Sequence, residues 1–524
     1  MASAADSDDS LFEKIRAKGT PSPEVLQEQN EALNKRLHAQ HEKQQERLAE
    51  LVELNSTLPA TVSSISVLNA THTRKGFLKR VFQPILSDNQ DRPYTLGEAL
   101  RAISYSAGKL NKFGIFNDEI SLYLDRTNAA DPKATATDLA VYISVKEKSR
   151  IFLKTGADLG NAEGSTFANA NFRNIFGGAE SLLLNASLGT RTRSAYNAVF
   201  ETPILSNPDL RWEIGGLTSS TKKVWASHEE VLRGGWTKFR WQTSSGSQHE
   251  ISYAGFWRQL TGLSPRASPS IRADAGDSLK SSITHTYICD HRDNPRLPSS
   301  GYLLKTISEV AGFGPLKGDV YFWKSELDTQ AALPIPIPGL GHPSGISFTT
   351  GFRAGVLYPF ASSKTANPKT SRINDRFTLG GPTDVRGFRM AGLGPHDGDD
   401  ALGGDVYAAG SANLLFPIPK LGRDHPLRFQ TFINGGRLLA LKQPRHRHKE
   451  GKGSEIGSTS EVRQSFKDTI MELGNGLPSV AAGFGLVYAH PIARFELNFS
   501  LPLALRKGEE GRKGVSFGVG LDFL

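Results

Sequence analysis

The sequence predicts a membrane β-barrel of about sixteen antiparallel strands, preceded by a small α+β domain and a polar, partly helical N-terminal segment. Three observations carry this: strand-period alternation that runs to the C-terminus, glycine-rich strands in a chain without an apolar helix, and connections that alternate between short turns and long loops. At the C-terminus Val515, Phe517, Val519, Leu521 and Phe523 alternate with Ser516, Gly518, Gly520 and Asp522. Just before it, Phe495, Leu497, Phe499 and Leu501 alternate with Arg494, Glu496, Asn498 and Ser500. Such period-2 patterns give a strand one apolar and one polar or small face. In a sandwich the polar face would meet solvent, and glycine inside strands is uncommon. In lipid the apolar face turns outward and the polar face lines an aqueous lumen. Hydropathy cannot decide between them: hydrophobic content is 38%, mean hydropathy is −0.34, and no run reads as a transmembrane helix. Alternating strands hide from that measure, and 52 Gly and 28 Phe suit a barrel.

Residues 1–57 are polar and partly helical, with Leu26, Leu33, Leu37, Leu48, Leu51 and Leu54 loosely spaced among Glu, Gln, Lys and Arg, a solvated or weakly docking helix. Residues 58–147 read as β-α-α-β-β: a strand around Val62–Leu68, helices over Arg74–Ile85 and Leu96–Lys112, and strands over Ile120–Arg126 and Leu139–Lys146. Two helices covering one face of a three-stranded sheet make a small α+β domain. Residues 148–524 are strands to the end, beginning near Ile151, Ser165, Ser181, Ala195, Leu210, Val231, Glu250, Ser281, Tyr302, Val320, Ile346, Asp405, Leu427, Val480, Arg494 and Val515. Short turns such as Ser244–Ser247 and Ala489–Pro491 interleave with longer segments at about 260–279, 359–404 and 436–478, the asymmetry expected of a membrane barrel.

Within the second long segment stands Phe377-Thr-Leu-Gly-Gly-Pro-Thr-Asp-Val-Arg-Gly-Phe388. Gly380, Gly381 and Gly387 permit positive φ or close backbone approach, Pro382 stiffens the turn, and Val385 and Phe388 pin both sides of Arg386. The loop is built to hold one charge in a fixed place. No elbow, phosphate loop or cysteine–histidine cluster is present, so no catalytic residue, cofactor or metal is expected. Asp397-Gly-Asp-Asp400 beside His396 lacks the spacing of a calcium loop and reads as a solvated turn. His446 and His448 sit among like charges in a basic loop, and Cys289, the single cysteine, reads as a packing residue. A net charge of +9 is scattered without an aromatic-interleaved patch, which disfavours nucleic acid. Met1–Ser10 is acidic and lacks the features of a secretory signal or a transit peptide, so a barrel bearing it is expected in an organellar outer membrane.

Taken together, the chain resembles the superfamily of outer-membrane barrel-assembly proteins, most closely the family of barrel subunits of the mitochondrial sorting and assembly machinery of fungi. Leu379-Gly-Gly-Pro-Thr-Asp-Val-Arg-Gly-Phe388, followed by Gly392-Leu-Gly-Pro395, is similar to that superfamily's sixth loop, and residues 58–147 resemble one POTRA domain, where the bacterial insertases resemble strings of them. The resemblance implies that the loop at about 359–404 folds into the lumen, where Arg386 meets polar or acidic groups on the wall. It implies that β-barrel precursors such as porin are received from intermembrane-space chaperones and released into the bilayer through a seam between the first and last strands, marked by Ile151, Leu153 and Val519, with accessory subunits of the machinery as partners. It places the N-terminal domain and the C-terminus in the intermembrane space. Ser516, Gly518, Leu521 and Phe523 match the C-terminal signal by which mitochondrial barrel precursors are recognised, although any lipid-facing last strand looks similar. A passive solute- or protein-conducting pore and a barrel-scaffold enzyme are the competing readings.

Overall fold

The computed structural model describes residues 40, 43–44, 46–47, 50–91, 94–127, 135, 137–160, 163–313, 315, 317–336, 344–360, 371–419, 421–422, 425–441, 459–491, 493–520 and 523–524. Most of the N-terminal segment, His446, His448 and Leu521 therefore lie outside the described residues. The chain divides into two compact units, one of residues 1–71, 78–111 and 116–147 and one of residues 72–77, 112–115 and 148–524.

The smaller sheet contains β1 (Pro59–Leu68), β2 (Tyr94–Thr95), β3 (Ser121–Arg126) and β4 (Asp138–Ser144) in the order β2-β1-β4-β3, with β1 and β4 parallel. Between them run α1 (Lys75–Asp91) and α2 (Leu96–Lys112). α2 starts on a capping box: the Glu98 amide donates to Thr95 Oγ1 (3.3 Å) and Glu98 Oε2 accepts from the Thr95 amide (3.1 Å), satisfying two donors that a helix start leaves over. Its buried residues Ala99, Ile103, Ser106 and Leu110 recur at helical spacing, and Ala140, Val141 and Ile143 of β4 are buried too. The structure differs from expectation in two places. A fourth strand exists, but two residues of β2 carry no readable period. α1 continues past Pro84 to Asp91, because the buried face Leu78, Val81, Phe82 and Ile85 outweighs the one backbone donor that proline removes.

The larger sheet has sixteen strands. They are β5 (Ile151–Gly160), β6 (Glu163–Arg173), β7 (Ser181–Gly189), β8 (Thr192–Pro203), β9 (Leu210–Lys223), β10 (His228–Gln242), β11 (Gln248–Thr261) and β12 (Gly276–Asp290), then β13 (Gly301–Ala311), β14 (Phe322–Pro334) and β15 (Ser347–Pro359). A small hairpin, β16 (His396–Asp397) and β17 (Asp400–Ala401), interrupts the long connection to β18 (Val406–Pro417), after which follow β19 (Leu427–Leu439), β20 (Ser479–Ala489), β21 (Arg494–Ala504) and β22 (Gly514–Gly520). Each wall strand pairs antiparallel with its sequence neighbour, and β15 pairs directly with β18. Among the described residues, the short α3 (Pro269–Ala273) and the longer α4 (Thr459–Asn475) sit in connections.

The faces are inverted relative to a water-soluble sheet. On β21, Arg494, Glu496, Asn498 and Ser500 are buried while Leu497, Phe499 and Leu501 are exposed. Ile214, Phe239, Ile251, Ile283, Phe352, Ile433, Phe484 and Phe517 are likewise exposed around the wall. The inner face carries charge ladders instead: Arg240 pairs with Glu213 (3.4 Å) and Glu250 (3.2 Å), and Arg211 with Glu201 (3.1 Å). A polar interior with an apolar exterior is stable only where the exterior meets hydrocarbon. The order of the sheet starts at β22 and ends at β5, so these two strands are its edges, and they lie side by side where the barrel closes.

Two details depart from the sequence-based picture. The long connections 262–275, 360–405 and 440–478 do share one end of the barrel, but the two-residue turn Thr190–Arg191 lies at that end too, so the asymmetry is partial. Val320 precedes β14 and is buried among inner-face residues, where a strand start was expected.

Candidate functional site: the lumen loop and the closing strands

The described part of the connection from β15 to β18, residues 371–405, lies in the lumen and is fastened at several points. At its entry Arg258 of β11 donates to both carboxylate oxygens of Asp375, at 2.6 and 3.2 Å, and both side chains are buried. Burial alone would raise the Asp375 carboxyl, but Arg258, with Lys280 and Lys324, holds it below the ordinary carboxylate value. Asp397 and Asp400, expected as a solvated turn, instead accept hydrogen bonds from the first residues of α3 and its cap: the Ser268 amide donates to Asp400 (2.7 Å) and Ser270 Oγ to Asp397 (2.6 Å). Asp400 is buried. Further in, the Gly380 amide donates to Asp384 Oδ2 (2.9 Å), while Asp384 Oδ1 faces Arg353 of β15 at 3.6 Å. Lys305, Lys324, Glu326, Asp328, Arg353 and Tyr407 line a polar cavity of about 450 Å³ between this segment and β13–β15.

Glycine is required at two points. At Gly387 φ is +87°, and a Cβ there would stand 2.6 Å from the Cβ of Ala481 on β20, so only a bare backbone lies this close to the wall. At Gly380 φ is +108°, with the Arg389 carbonyl 2.8 Å from where a Cβ would be. Gly381 also has positive φ, and its amide donates to the Val385 carbonyl (3.3 Å), closing the turn. Val385 and Phe388 are buried in an inner apolar cluster with Leu357, Leu379, Leu393, Leu438 and Leu524. These contacts pin the backbone on both sides of Arg386.

Arg386 is fully buried. Its Nε donates to Glu496 Oε2 (2.9 Å) and its Nη2 to Oε1 (3.3 Å), a two-pronged bond to a carboxylate on the inner face of β21. Nη1 donates to Asn413 Oδ1 of β18 (3.5 Å) and to the Leu524 carbonyl (3.3 Å). The guanidinium lies 4.9 Å from the Phe432 ring centre and 5.9 Å from that of Phe523. With its side-chain O and N interchanged, the orientation that satisfies both groups, Asn434 brackets the Arg386 backbone, accepting from its N–H (2.9 Å) and donating to its carbonyl (3.1 Å). Glu496 is shared: Arg494 Nη2 reaches Oε1 at 2.5 Å, and Asn498 and Gln430 donate to Oε2 at 2.7 and 3.2 Å. One carboxylate thus gathers two guanidiniums and two amides, and all five side chains are buried. The sequence marked Glu496 as a polar-face residue of its strand; what it lacked was any sign that a loop arginine 110 positions away meets it.

The chain end is the other component. β22 stops at Gly520, and Phe523 is not on the lipid face as the alternation implied; it is buried in the lumen with its ring 5.0 Å from Arg494. Gln330 Nε2 donates to the Phe523 carbonyl (3.0 Å), and the Leu524 amide to the Thr383 carbonyl (3.4 Å). Gly518 lets this fold-back happen, since a Cβ there would stand 3.3 Å from both the Phe523 ring and the Pro382 carbonyl. Ser516 faces inward, its hydroxyl donating to the Asn498 carbonyl (3.4 Å), and Val515 and Phe517 are exposed outward. Val519 pairs with Phe495 of β21. Across the edge, Ile151 and Leu153 of β5 are exposed. Arg386 therefore bonds both to the wall and to the segment that continues from the closing strand, whereas Ile151 and Leu153 lie on the opposite edge, outside its contacts. Cys289 is a buried free thiol, 3.3 Å from His291 Nδ1.

Comparison with known proteins gives this architecture a lineage. Residues 174–523 match the Omp85 superfamily domain. The chain is 39% identical over 479 residues to a SAM50-like protein of Schizosaccharomyces pombe, covering 91% of this chain and 94% of that one. It is 32% identical over 436 residues to the sorting and assembly machinery component 50 homolog of Mus musculus, covering 82% and 84% of the two chains. Among solved structures, BamA from Haemophilus ducreyi lacking POTRA domains 1–3 shares the fold, with a TM-score of 0.67 at 14% identity over 88% of this chain and 84% of that one. With a matching domain over most of its length and relatives of this similarity along the whole barrel, the chain belongs to the Omp85 superfamily.

Proposed function

We propose that the protein is the barrel subunit of the mitochondrial sorting and assembly machinery, an insertase that folds β-barrel precursors into the outer membrane at the edge between β5 and β22. The observation that carries the reading is the meeting of the sheet's closing edge with a buried arginine: β22 is the short closing strand, and Arg386 bonds the chain end that follows it. An unsatisfied backbone N–H or C=O in hydrocarbon costs several kcal/mol, so an edge facing lipid takes up any strand that offers partners. An incoming strand can pair with β5 or β22 by exchanging hydrogen bonds, which needs no catalytic group, cofactor or metal. Val519 and Leu153 stand at the two sides of that entry. The Ser516, Gly518, Leu521 and Phe523 pattern would make the protein a client of its own machinery.

In this reading the N-terminal α+β domain, of POTRA type, faces the intermembrane space together with the start of β5 and the end of β22, where it receives unfolded precursors such as porin from chaperones. The long loops, the Arg386 segment among them, then enter from the cytosolic side, where accessory subunits have access. Protease added to intact mitochondria should leave the chain near Gln90 uncut; cleavage there without membrane rupture overturns the orientation. Function is tested by Arg386→Ala: assembly of imported radiolabelled porin should slow much more than the variant's own insertion. Altered conductance with normal porin assembly would favour the passive pore instead.

A further inference from the structure

The connection between β19 and β20 contains α4, and the side chains that hold it face the outside of the barrel. On β15, Arg353 reaches the lumen while Phe348 and Phe352 are exposed, so Tyr358 faces outward by alternation. Phe466 of α4 packs edge-on against the Tyr358 ring, with centres 5.1 Å apart. On β19, Gln430 and Asn434 reach the lumen site while Ile433 is exposed, so Arg437 also faces outward. Arg437 Nη1 donates to the Leu473 carbonyl (3.1 Å) and to that of Glu472, and Nη2 stands 3.7 Å from the Glu472 carboxylate. These are the carbonyls that a helix C-terminus leaves without partners, and a cation suits that end of the dipole. Between the two anchors lies β18, against which α4 rests and whose outward Val406 is only 2% exposed. The helix crosses three wall strands on their outer side.

Its depth is marked by aromatic side chains at the same end of the wall. Trp323 sits opposite Tyr358 in register, and Phe360 stacks edge-on with Tyr358 and with Phe313. Trp, Tyr and Phe at the rim of a barrel mark the boundary between hydrocarbon and headgroups. α4 itself carries Val462, Phe466, Ile470 and Leu473 in one stripe, yet Ile470 stays 42% exposed and Leu477, just past the helix, 87% exposed. Arg463 and Lys467, both exposed, flank Ile470, whereas Gln464 and Asp468 bond to each other on the far side.

We propose that α4 is a membrane-surface helix: clamped to the outside of the barrel by Tyr358 and Arg437, it lies at the headgroup boundary with Ile470 in the acyl region and Arg463 and Lys467 on anionic phospholipid headgroups. An apolar stripe flanked by cations at this depth is what an interfacial helix requires. The proposal rests on the barrel spanning a bilayer and not on its insertase role. The test uses full-length protein carrying Cys289→Ser, with a polarity-sensitive fluorophore on Ile470→Cys or Asp468→Cys, in phosphatidylcholine–phosphatidylserine vesicles. Ile470→Cys should be quenched by shallow spin-labelled lipid and shielded from iodide, and Asp468→Cys the reverse; removing phosphatidylserine should lessen the shielding at Ile470. Equal iodide quenching at both positions overturns the proposal, as does shielding of Ile470 that appears in mitochondria but not in vesicles, which would mark a protein-docking face. In the same background, Tyr358→Cys and Phe466→Cys should be joined by a short bis-maleimide crosslinker in protein whose heat-modifiable gel shift shows a folded barrel. A folded barrel in which these two cysteines are not crosslinked would contradict the placement of the helix.

Discussion

Glu496 carries the largest concentration of buried charge in the site, since Arg386 and Arg494 both converge on it. Removing one member of a buried pair typically costs about 3–5 kcal/mol, because the remaining charge keeps its desolvation penalty. Glu496→Gln preserves shape but leaves two guanidiniums facing one another, so it should destabilise the folded barrel more than Arg494→Gln does. Thermal unfolding in nanodiscs, followed by heat-modifiability, measures this; equal losses would mean that Arg386 has other sufficient partners. The arginine was legible because its glycine frame is local. Its carboxylate was not, because period-2 alternation says which face a residue occupies and nothing about what crosses the lumen to meet it. Phe523 exposes the same limit: alternation ran on through Gly520, yet the chain turns inward there, and Gly518, which reads as a weak strand position, is the space its ring folds into.

At the scale of elements, the wall strands were readable one by one because each satisfies the same local rule, an apolar and a polar face on alternate residues. Elements stabilised by distant contacts were not. The hairpin β16–β17 has two residues a side, and α4 lay inside a stretch read as loop, its stripe meaningful only against an outward wall. The lumen loop is likewise held by remote anchors, and its entry should depend on Arg258. Arg258→Ala leaves Asp375 buried with, among the described residues, Lys280 at 3.6 Å from its carboxylate and Lys324 on its carbonyl (3.1 Å). Limited proteolysis of the detergent-solubilised barrel should then cut between residues 371 and 380 faster than in the wild type, with the β21–β22 end unaffected. Unchanged cleavage would show that the Arg386 cluster alone secures the loop.

At the scale of the whole molecule, the proposed function joins the closing edge and the lumen latch into one device. Phe523 and Leu524, which follow β22, lie against Arg386, so in the proposed insertion a client strand would take the place of β22 only as the loop gave up the chain end. In the proposed insertion, hydrogen bonds would be exchanged at the edge while the remaining pairings of the sheet stay intact, so that the barrel could open there without unfolding. The measurement that tests this most directly is site-specific crosslinking in mitochondria, with Cys289→Ser and single cysteines at Leu153, Val519 or, on the distant wall, the exposed Ile283. A porin precursor arrested during assembly, bearing a cysteine in its last strand, should crosslink to Leu153→Cys and Val519→Cys and not to Ile283→Cys. Equal crosslinking at all three positions, or normal porin assembly by a protein whose β5 and β22 are locked together by a disulfide, would contradict insertion at this edge.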